Sequence, residues 1–436
     1  MPYISTQGRT PPTTLPEALF QGLAPDGGLF MPTTIPTLSP GDLAVFGEMD
    51  WVDTGFSVLR RLFAGELTPG QTEGLVRDAF NFPLPLYHLS ERIVVLDLSK
   101  GPTLAFKDVG ARFMARLMAH FREGKGEPLT ILTATSGDTG GAVADAFLGL
   151  PGVRVVVLFP DGKISRRQER QFSTLGQNVH TLAVQGDFDD CQRLAKEAFR
   201  DEDLRRTISL TSANSINIGR FLPQTVYFIY AWTKIQGGGS NTPVLFSVPS
   251  GNFGNLAAGL LAKAMGLPDV GFLAATNAND GVPRFLTTGV FEPRPSKQTL
   301  STAMDVGNPS NLARILHLYG GAVEQLKQDL AGISISDEET AATIRRVKET
   351  TGRVLDPHTA VGYAALEEGL QERPGATGIL LATAAPSKFA EVVEPILGEA
   401  LPIPPELARG LEGSRKITRI DPSATALRGF LLEMDR

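Results

Sequence analysis

Lys107 stands in the run Gly101-Pro-Thr-Leu-Ala-Phe-Lys-Asp108, beside Leu104, Ala105 and Phe106 and at the start of an expected helix over 108–120. A lysine in apolar company makes a poor surface charge. Desolvation lowers an ammonium pKa, and the neutral amine can form a Schiff base with a carbonyl. The competing reading is a lysine whose stem covers apolar surface while its ammonium reaches water. A second segment, Ser250-Gly-Asn-Phe-Gly-Asn255, follows one apolar run and opens an amphipathic one. Its glycines let the backbone approach an anion, and exposed N–H groups at a helix start favour phosphate. It is neither a Walker loop nor a full G-x-G-x-x-G, and a plain strand-to-helix turn would also use glycine. A third, Thr135-Ser-Gly-Asp-Thr-Gly140, has the same setting. Hydroxyls and free N–H groups there suit a carboxylate, while Asp138 or Thr139 would equally serve as an N-cap.

Two further stretches carry candidate ligands. Leu381-Ala-Thr-Ala-Ala-Pro-Ser-Lys-Phe389 ends a strong apolar run, and open α/β sheets place ligands at the C-terminal ends of their strands. Thr383 could there meet a heteroaromatic nitrogen, although most such threonines only satisfy backbone. Ser212-Ala-Asn-Ser-Ile-Asn-Ile-Gly-Arg220 is rich in donors. Asn214, Asn217 and Arg220 are candidates for a phosphorylated substrate through charge-assisted hydrogen bonds, with Arg112 as a second basic candidate. Arginines more often pair on surfaces.

These segments need a frame. From about residue 93 onward, short apolar runs alternate with amphipathic ones. Strands are expected over 92–98, 128–134, 153–159, 179–184, 208–210, 244–248, 271–275 and 378–382. The helices between them include 139–148, 165–175, 188–199, 221–232, 255–264, 337–350 and 360–370. Such alternation predicts parallel sheets with right-handed crossovers, an α/β class. Residues 1–95 carry Pro-rich connections and read as a mainly helical N-terminal segment. The division expected is that segment, a smaller α/β domain over 96–240 holding Lys107 and the Ser136–Thr139 loop, and a larger one over 241–436 holding the Ser250–Asn255 turn and Thr383. Gly237-Gly-Gly-Ser240 reads as a mobile surface loop, and the stretch beyond 400 as a short terminal helix. No internal repeat is evident.

Composition narrows the partners. With 436 residues the chain is long enough for a large core, and 42% hydrophobic with 20% charged residues suits a soluble globular protein. A net charge of −6 without a Lys/Arg cluster argues against nucleic acid. No apolar run is long enough for a membrane span, and the first residues lack the apolar core of a signal peptide. Five scattered histidines give no metal-ligand spacing. A single cysteine, Cys191, excludes an intrachain disulfide and fits a reducing, cytoplasmic compartment. Glycine, 46 residues of 436, exceeds the roughly 7% of an average protein and suits many tight turns and backbone-built loops.

Taken in order along the chain, the segments resemble pyridoxal-phosphate enzymes of the tryptophan-synthase-β fold type, and within that group the threonine synthase family. The likeness runs from Gly22-Leu-Ala-Pro-Asp-Gly-Gly-Leu-Phe30 through the lysine segment, Thr133–Gly140, Ser212–Arg220, Ser247–Gly254, Ala274–Asp280 and Ala303–Val306 to Ala382–Phe389. It implies two parallel-sheet α/β domains with pyridoxal 5′-phosphate in the cleft between them. Lys107 would carry the cofactor as a Schiff base and act as general base. Gly251, Asn252, Phe253, Gly254 and Asn255 would hold its phosphate, and Thr383 would face the pyridine nitrogen. Thr135, Ser136, Gly137 and Thr139 would take the substrate carboxylate. The implied reaction is the last step of threonine biosynthesis, O-phospho-L-homoserine and water to L-threonine and phosphate, in a monomer or homodimer. Many relatives of this fold type have asparagine where Asp138 stands, touching the cofactor's phenolic oxygen, which an ionised aspartate would repel. Rival readings are a phospholyase or dehydratase releasing 2-oxobutyrate and a non-catalytic cofactor-binding homologue.

Overall fold

A computed structural model describes residues 2–124, 126–237 and 242–434; most of the glycine-rich run at 237–240 lies outside them. The chain opens on an antiparallel ribbon of β1 (Tyr3–Ser5) and β2 (Phe30–Pro32). Helices at Leu15–Gln21, Pro40–Glu48, Trp51–Leu62 and Pro69–Ala79 follow. Three of them begin with a hydroxyl residue, a proline in the first turn and an acceptor three residues after the cap. Thr14 with Glu17, Ser39 with Asp42 and Thr68 with Gln71 form reciprocal capping boxes. Pro16, Pro40 and Pro69 thus mark helix starts, while Pro11, Pro12 and Pro36 lie in the connections between elements.

Next come β3 (Leu86–His88) and β4 (Ile93–Asp97), then β5 (Leu129–Ala134), β6 (Val153–Pro160), β7 (Val179–Val184) and β8 (Ser209–Ser212). The chain continues with β9 (Val244–Pro249), β10 (Val270–Thr276), β11 (Leu330–Ser334), β12 (Thr377–Ala382) and β13 (Ile417–Ile420). Two sheets result. One has the order β11-β10-β9-β12-β4-β3, the other β13-β7-β6-β5-β8. Pairing is parallel throughout both, except that edge strand β3 runs antiparallel to β4. Strands buried on both faces read as unbroken apolar runs, which is why β5, β6, β9, β10 and β12 stand out in the sequence. The architecture is α/β with a mainly helical N-terminal segment.

Sheet membership crosses the three-part division drawn along the chain. β3 and β4 precede residue 98 yet join the sheet built from β9–β12. The stretch beyond 400 is more than one terminal helix: helices Pro405–Glu412 and Ala424–Glu433 flank β13, which completes the other sheet beside β7. The helix expected over 221–232 is broken into Ile218–Phe221, a 3-10 turn at Leu222–Gln224 and Thr225–Gln236, because Pro223 cannot supply a helical N–H. No helix among the described residues is long and apolar enough to cross a membrane.

The Lys107–Arg122 helix is one of the elements on which the N-terminal segment packs. Phe113 lies 5.5 Å from Phe63 in a stacked pair and 6.1 Å from Phe80. Arg112 donates from Nε to the Ala79 carbonyl at 2.8 Å and from Nη2 to Asn81 Oδ1 at 2.8 Å.

Candidate active site

The C-terminal ends of β5, β8, β9 and β12 open on one cleft of about 1120 Å³, counted to its solvent-filled mouth. Lys107, Thr135, Ser136, Asp138, Thr139, Asn214, Arg220, Gly251 through Asn255 and Thr383 all line it. Residues separated by most of the chain are therefore neighbours.

The lysine segment is built to present its amine. Asp108 turns back and accepts from Thr103 N at 2.9 Å and from Thr103 Oγ1 at 2.5 Å. A Cβ at Gly101 would sit 2.3 Å from Asp108 Oδ2, so this approach needs glycine. Phe106 N donates to the Thr383 carbonyl at 2.8 Å, and Ala105 bridges Ala384, which locks the segment to the end of β12. Lys107 then begins its helix with a side chain 14% exposed. Burial draws its pKa down to about 8; Asp138 opposes the fall, while Arg220 and Lys388 add to it. An amine with an appreciable neutral fraction near physiological pH is what a carbonyl-attacking lysine needs.

Asp138 is the first residue of the next helix and its side chain is 4% exposed. Its Oδ1 accepts from Lys388 Nζ at 2.8 Å and from Gln168 Nε2 at 2.8 Å, and its Oδ2 lies 3.9 Å from Lys107 Nζ. Burial alone would raise this carboxyl's pKa, but Lys388 first and Lys107 second hold it well below the usual carboxylate range. The aspartate's charge is thus compensated within the protein. Gly137 (φ 139°) makes that possible, since a Cβ there would lie 2.6 Å from the Gln168 carboxamide. Thr135 Oγ1 accepts from Gly137 N at 2.9 Å and Gly140 N at 2.8 Å, which shapes the loop.

In the glycine turn, Phe253 adopts a left-handed conformation (φ 61°) and caps the Gly254–Ala264 helix without a side-chain acceptor. Asn252 is held by Ser215 Oγ (2.6 Å), by Ser310 N (2.6 Å) and, at its carbonyl, by Asn311 Nδ2 (3.0 Å). Asn255 Nδ2 donates to the Pro249 carbonyl at 2.9 Å. Side chains therefore fix the turn and the backbone faces the cleft.

Arg220 is 3% exposed. Its Nη1 donates to the Ala213 carbonyl at 2.9 Å, while its Nε is buried with no hydrogen-bond partner. A guanidinium with unspent donors lining a cleft is suited to an anion. Three sequence candidates do not line the cleft. The Arg112 donors are taken by Ala79, Asp78 and Asn81. Asn217 Nδ2 donates to the Leu19 and Ser212 carbonyls and its Oδ1 accepts from Gly219 N, so it joins the N-terminal segment to β8. Gly137 serves Gln168, as above. Asn214 lines the cleft but also ties β5 to the end of β8 through Thr133 Oγ1 and the Ala134 carbonyl.

Sequence reasoning passed over Lys388, Gln168, His358 and Ser215. Lys388 was in view inside 381–389, but its burial depends on a fold that brings Thr103 and Asp138 to it. His358 lines the cleft; its Nε2 accepts from Ala303 N at 3.2 Å, which puts the ring proton on Nδ1 against Asp356 Oδ1 at 2.7 Å. Among the described residues no group of three or more His, Cys, Asp or Glu could hold a metal ion.

Comparison with known proteins follows the same lines. Residues 80–383 match the model of pyridoxal-phosphate dependent enzymes, residues 2–80 that of the threonine synthase N terminus and residues 359–431 that of the threonine synthase C-terminal region. The chain is 47% identical over 417 residues to threonine synthase of Serratia marcescens, covering 95% of each chain. It is 48% identical over 392 residues to that of Escherichia coli K12, covering 90% of each. The solved structure of Escherichia coli threonine synthase superposes over 100% of both chains with a TM-score of 0.93 and 44% identity. PLP-bound threonine synthase from Brucella melitensis does so over 100% of both with a TM-score of 0.91 and 34% identity. The chain belongs to the threonine synthase family of pyridoxal-phosphate dependent enzymes.

Proposed function

We propose that this protein is a threonine synthase that converts O-phospho-L-homoserine and water to L-threonine and inorganic phosphate with pyridoxal 5′-phosphate. The observation that carries the reading is the convergence on one cleft of a buried amine with a pKa near 8, an anion-suited helix start and a guanidinium with an unpartnered buried Nε.

The donor set fits the cofactor. Lys107 supplies the amine for its aldehyde, the Gly251–Asn255 backbone suits its phosphate, and Thr383 offers a neutral partner to its ring nitrogen. When bound, the cofactor supplies an electron sink that stabilises negative charge at the substrate's Cα. The remaining work belongs to side chains. Lys107 would accept the Cα proton and later return one there. Its near-neutral pKa lets it do both. Ser136 and Thr139, at the start of the Asp138–Phe147 helix, orient the substrate carboxylate. Arg220 and Asn214 hold the phosphorylated end, which fixes the Cβ–Cγ bond for proton loss at Cβ and departure of phosphate from Cγ. The Cβ=Cγ bond so formed takes up a proton at Cγ, which becomes the methyl group and balances the one lost from Cβ, and water adds its oxygen at Cβ and releases a proton. We place the reaction in a cytoplasmic monomer or homodimer, a reading supported by the one, buried cysteine.

The test is to give cofactor-loaded protein O-phospho-L-homoserine and identify the products. Threonine with stoichiometric phosphate is expected, and Lys107→Ala loses both turnover and Schiff-base absorbance. Phosphate with 2-oxobutyrate would select a phospholyase instead. Undiminished turnover in Lys107→Ala would refute the role of that lysine.

A further inference from the structure

Two lysines approach the Asp138 carboxylate unequally, Lys107 from the lining of the cleft and Lys388 from behind it. Lys388 is fully buried, in the 3-10 turn Pro386–Phe389 that follows β12. Its ammonium donates to Asp138 Oδ1 at 2.8 Å and to the Thr103 carbonyl at 2.6 Å. Gln168 adds a third fixed contact by donating to the same Asp138 oxygen at 2.8 Å. Lys107 is left with Oδ2 at 3.9 Å, outside hydrogen-bond reach. A carboxylate bound this firmly from one side cannot swing to pair with the second amine.

We propose that Lys388 is a positioning residue for Lys107: it anchors the Asp138 carboxylate and keeps the Lys107 amine free to react. The inference rests on Lys107 being the cofactor-binding amine. The Lys388 ammonium has its donors committed to a carboxylate and a carbonyl and lies away from the cleft. Two lysines beside one carboxylate leave a charge too many, and the one outside hydrogen-bond reach of it, Lys107, gives up its proton more readily. The charged groups facing Lys107 are Asp138 from the helix after β5, Lys388 from the turn after β12 and Arg220 from the Ile218–Phe221 turn of helix. Asp108, next along the chain, is turned to Thr103 and interacts with Lys388 and Arg220. Lys388 therefore acts both by repelling a proton on Lys107 and by occupying the carboxylate that would hold one.

Apo-protein, pyridoxal 5′-phosphate and a stopped-flow absorbance record test this without turnover. The rate of Schiff-base formation, followed from pH 6 to 10, gives the midpoint at which Lys107 becomes neutral. Borohydride trapping and mass mapping confirm the site. Lys388→Met moves the midpoint up and slows formation at pH 7 about tenfold, the factor that one pH unit sets. Asp138→Asn, which keeps an oxygen for Lys388 to donate to, moves it down and speeds formation. The double variant returns toward wild type. A structural role alone would not produce opposite signs. Midpoints unmoved by either single variant, or moved the same way by both, overturn the proposal. If Lys388→Met does not fold, the direction of the Asp138→Asn shift still decides. Loss of the absorbance in Lys107→Ala alongside unmoved midpoints overturns the role of Lys388 alone; absorbance surviving in Lys107→Ala overturns both.

Discussion

Gly251 offers a sharp test of how the phosphate turn is held. A Cβ at this position would lie 2.7 Å from Met304 Cα and 2.8 Å from the Ala303 carbonyl oxygen, both backbone atoms. Carbon–carbon contact is comfortable from about 3.5 Å, so Gly251→Ala must open the gap by about 0.8 Å. Neither side yields easily. Ser250 N donates to the Ala275 carbonyl, Ala303 N to His358 Nε2 and Met304 N to the Ser301 carbonyl. Overpacking against pinned backbone costs about 1–3 kcal/mol. To the extent that the turn moves, the same energy appears as weaker cofactor binding, about 5-fold to 150-fold. Gly254→Ala is the internal control. Its Cβ would meet only the Asn311 side chain at 3.3 Å and Ser215 Cβ at 3.4 Å, and alanine is the better helix former. Urea denaturation of the apo-protein and cofactor titration by fluorescence measure both effects. Stability within about 0.5 kcal/mol of wild type and unchanged cofactor affinity in Gly251→Ala would refute the reasoning.

Four other outcomes are expected. Gly254→Asp should leave the helix intact, since a carboxylate suits a helix start, yet weaken cofactor binding by facing its phosphate; unchanged affinity in titration would rule out the cradle. Arg220→Ala should raise KM for O-phospho-L-homoserine at least tenfold while cofactor affinity stays within about twofold, because the Arg220 Nε is unspent inside the protein. Arg314→Met should destabilise by about 3 kcal/mol in urea melts, because the buried guanidinium alone ties the Phe30, Ser215 and Ile216 carbonyls to Asn311 Oδ1. Burial pushes the Asp108 carboxyl up to about 6, despite its bonds from Thr103 and the charge of Lys388. The folded protein therefore keeps a proton that the unfolded chain has released, and it loses stability as pH rises from about 4 to 6. Asp108→Asn should flatten that slope relative to wild type.

The parts of the fold that speak through hydrophobicity were legible in the sequence. Buried parallel strands such as β6 and β10 are almost wholly apolar, and the glycine and hydroxyl turns after β5 and β9 mark segments that line the cleft. β3, β11 and β13 carry half-exposed or polar residues and were not legible. What makes them strands is a partner far along the chain. The same holds within the cleft. Lys107 announces itself through its neighbours in sequence, whereas Lys388 and Gln168 owe their importance to one carboxylate that only folding brings near. Arg112 and Asn217 show the reverse case: residue types suited to anions, spent on carbonyls that join the N-terminal segment to the body. Arg314 sits in an ordinary helical stretch and gives no hint of being fully buried.

The lacing of the two sheets bears on how the protein is made. As the chain leaves the ribosome, β4 has β3 on one side and nothing on the other until β12 arrives from near the far end. The sheet of β5–β8 is likewise left with β7 as an open edge until residues 417–420 are synthesised. Thr383, the anchor for Phe106, comes with that late material. The cleft is thus completed only after β12 has been made, and a product cut short before β12 and β13 keeps unpaired strand edges instead of a working half-enzyme.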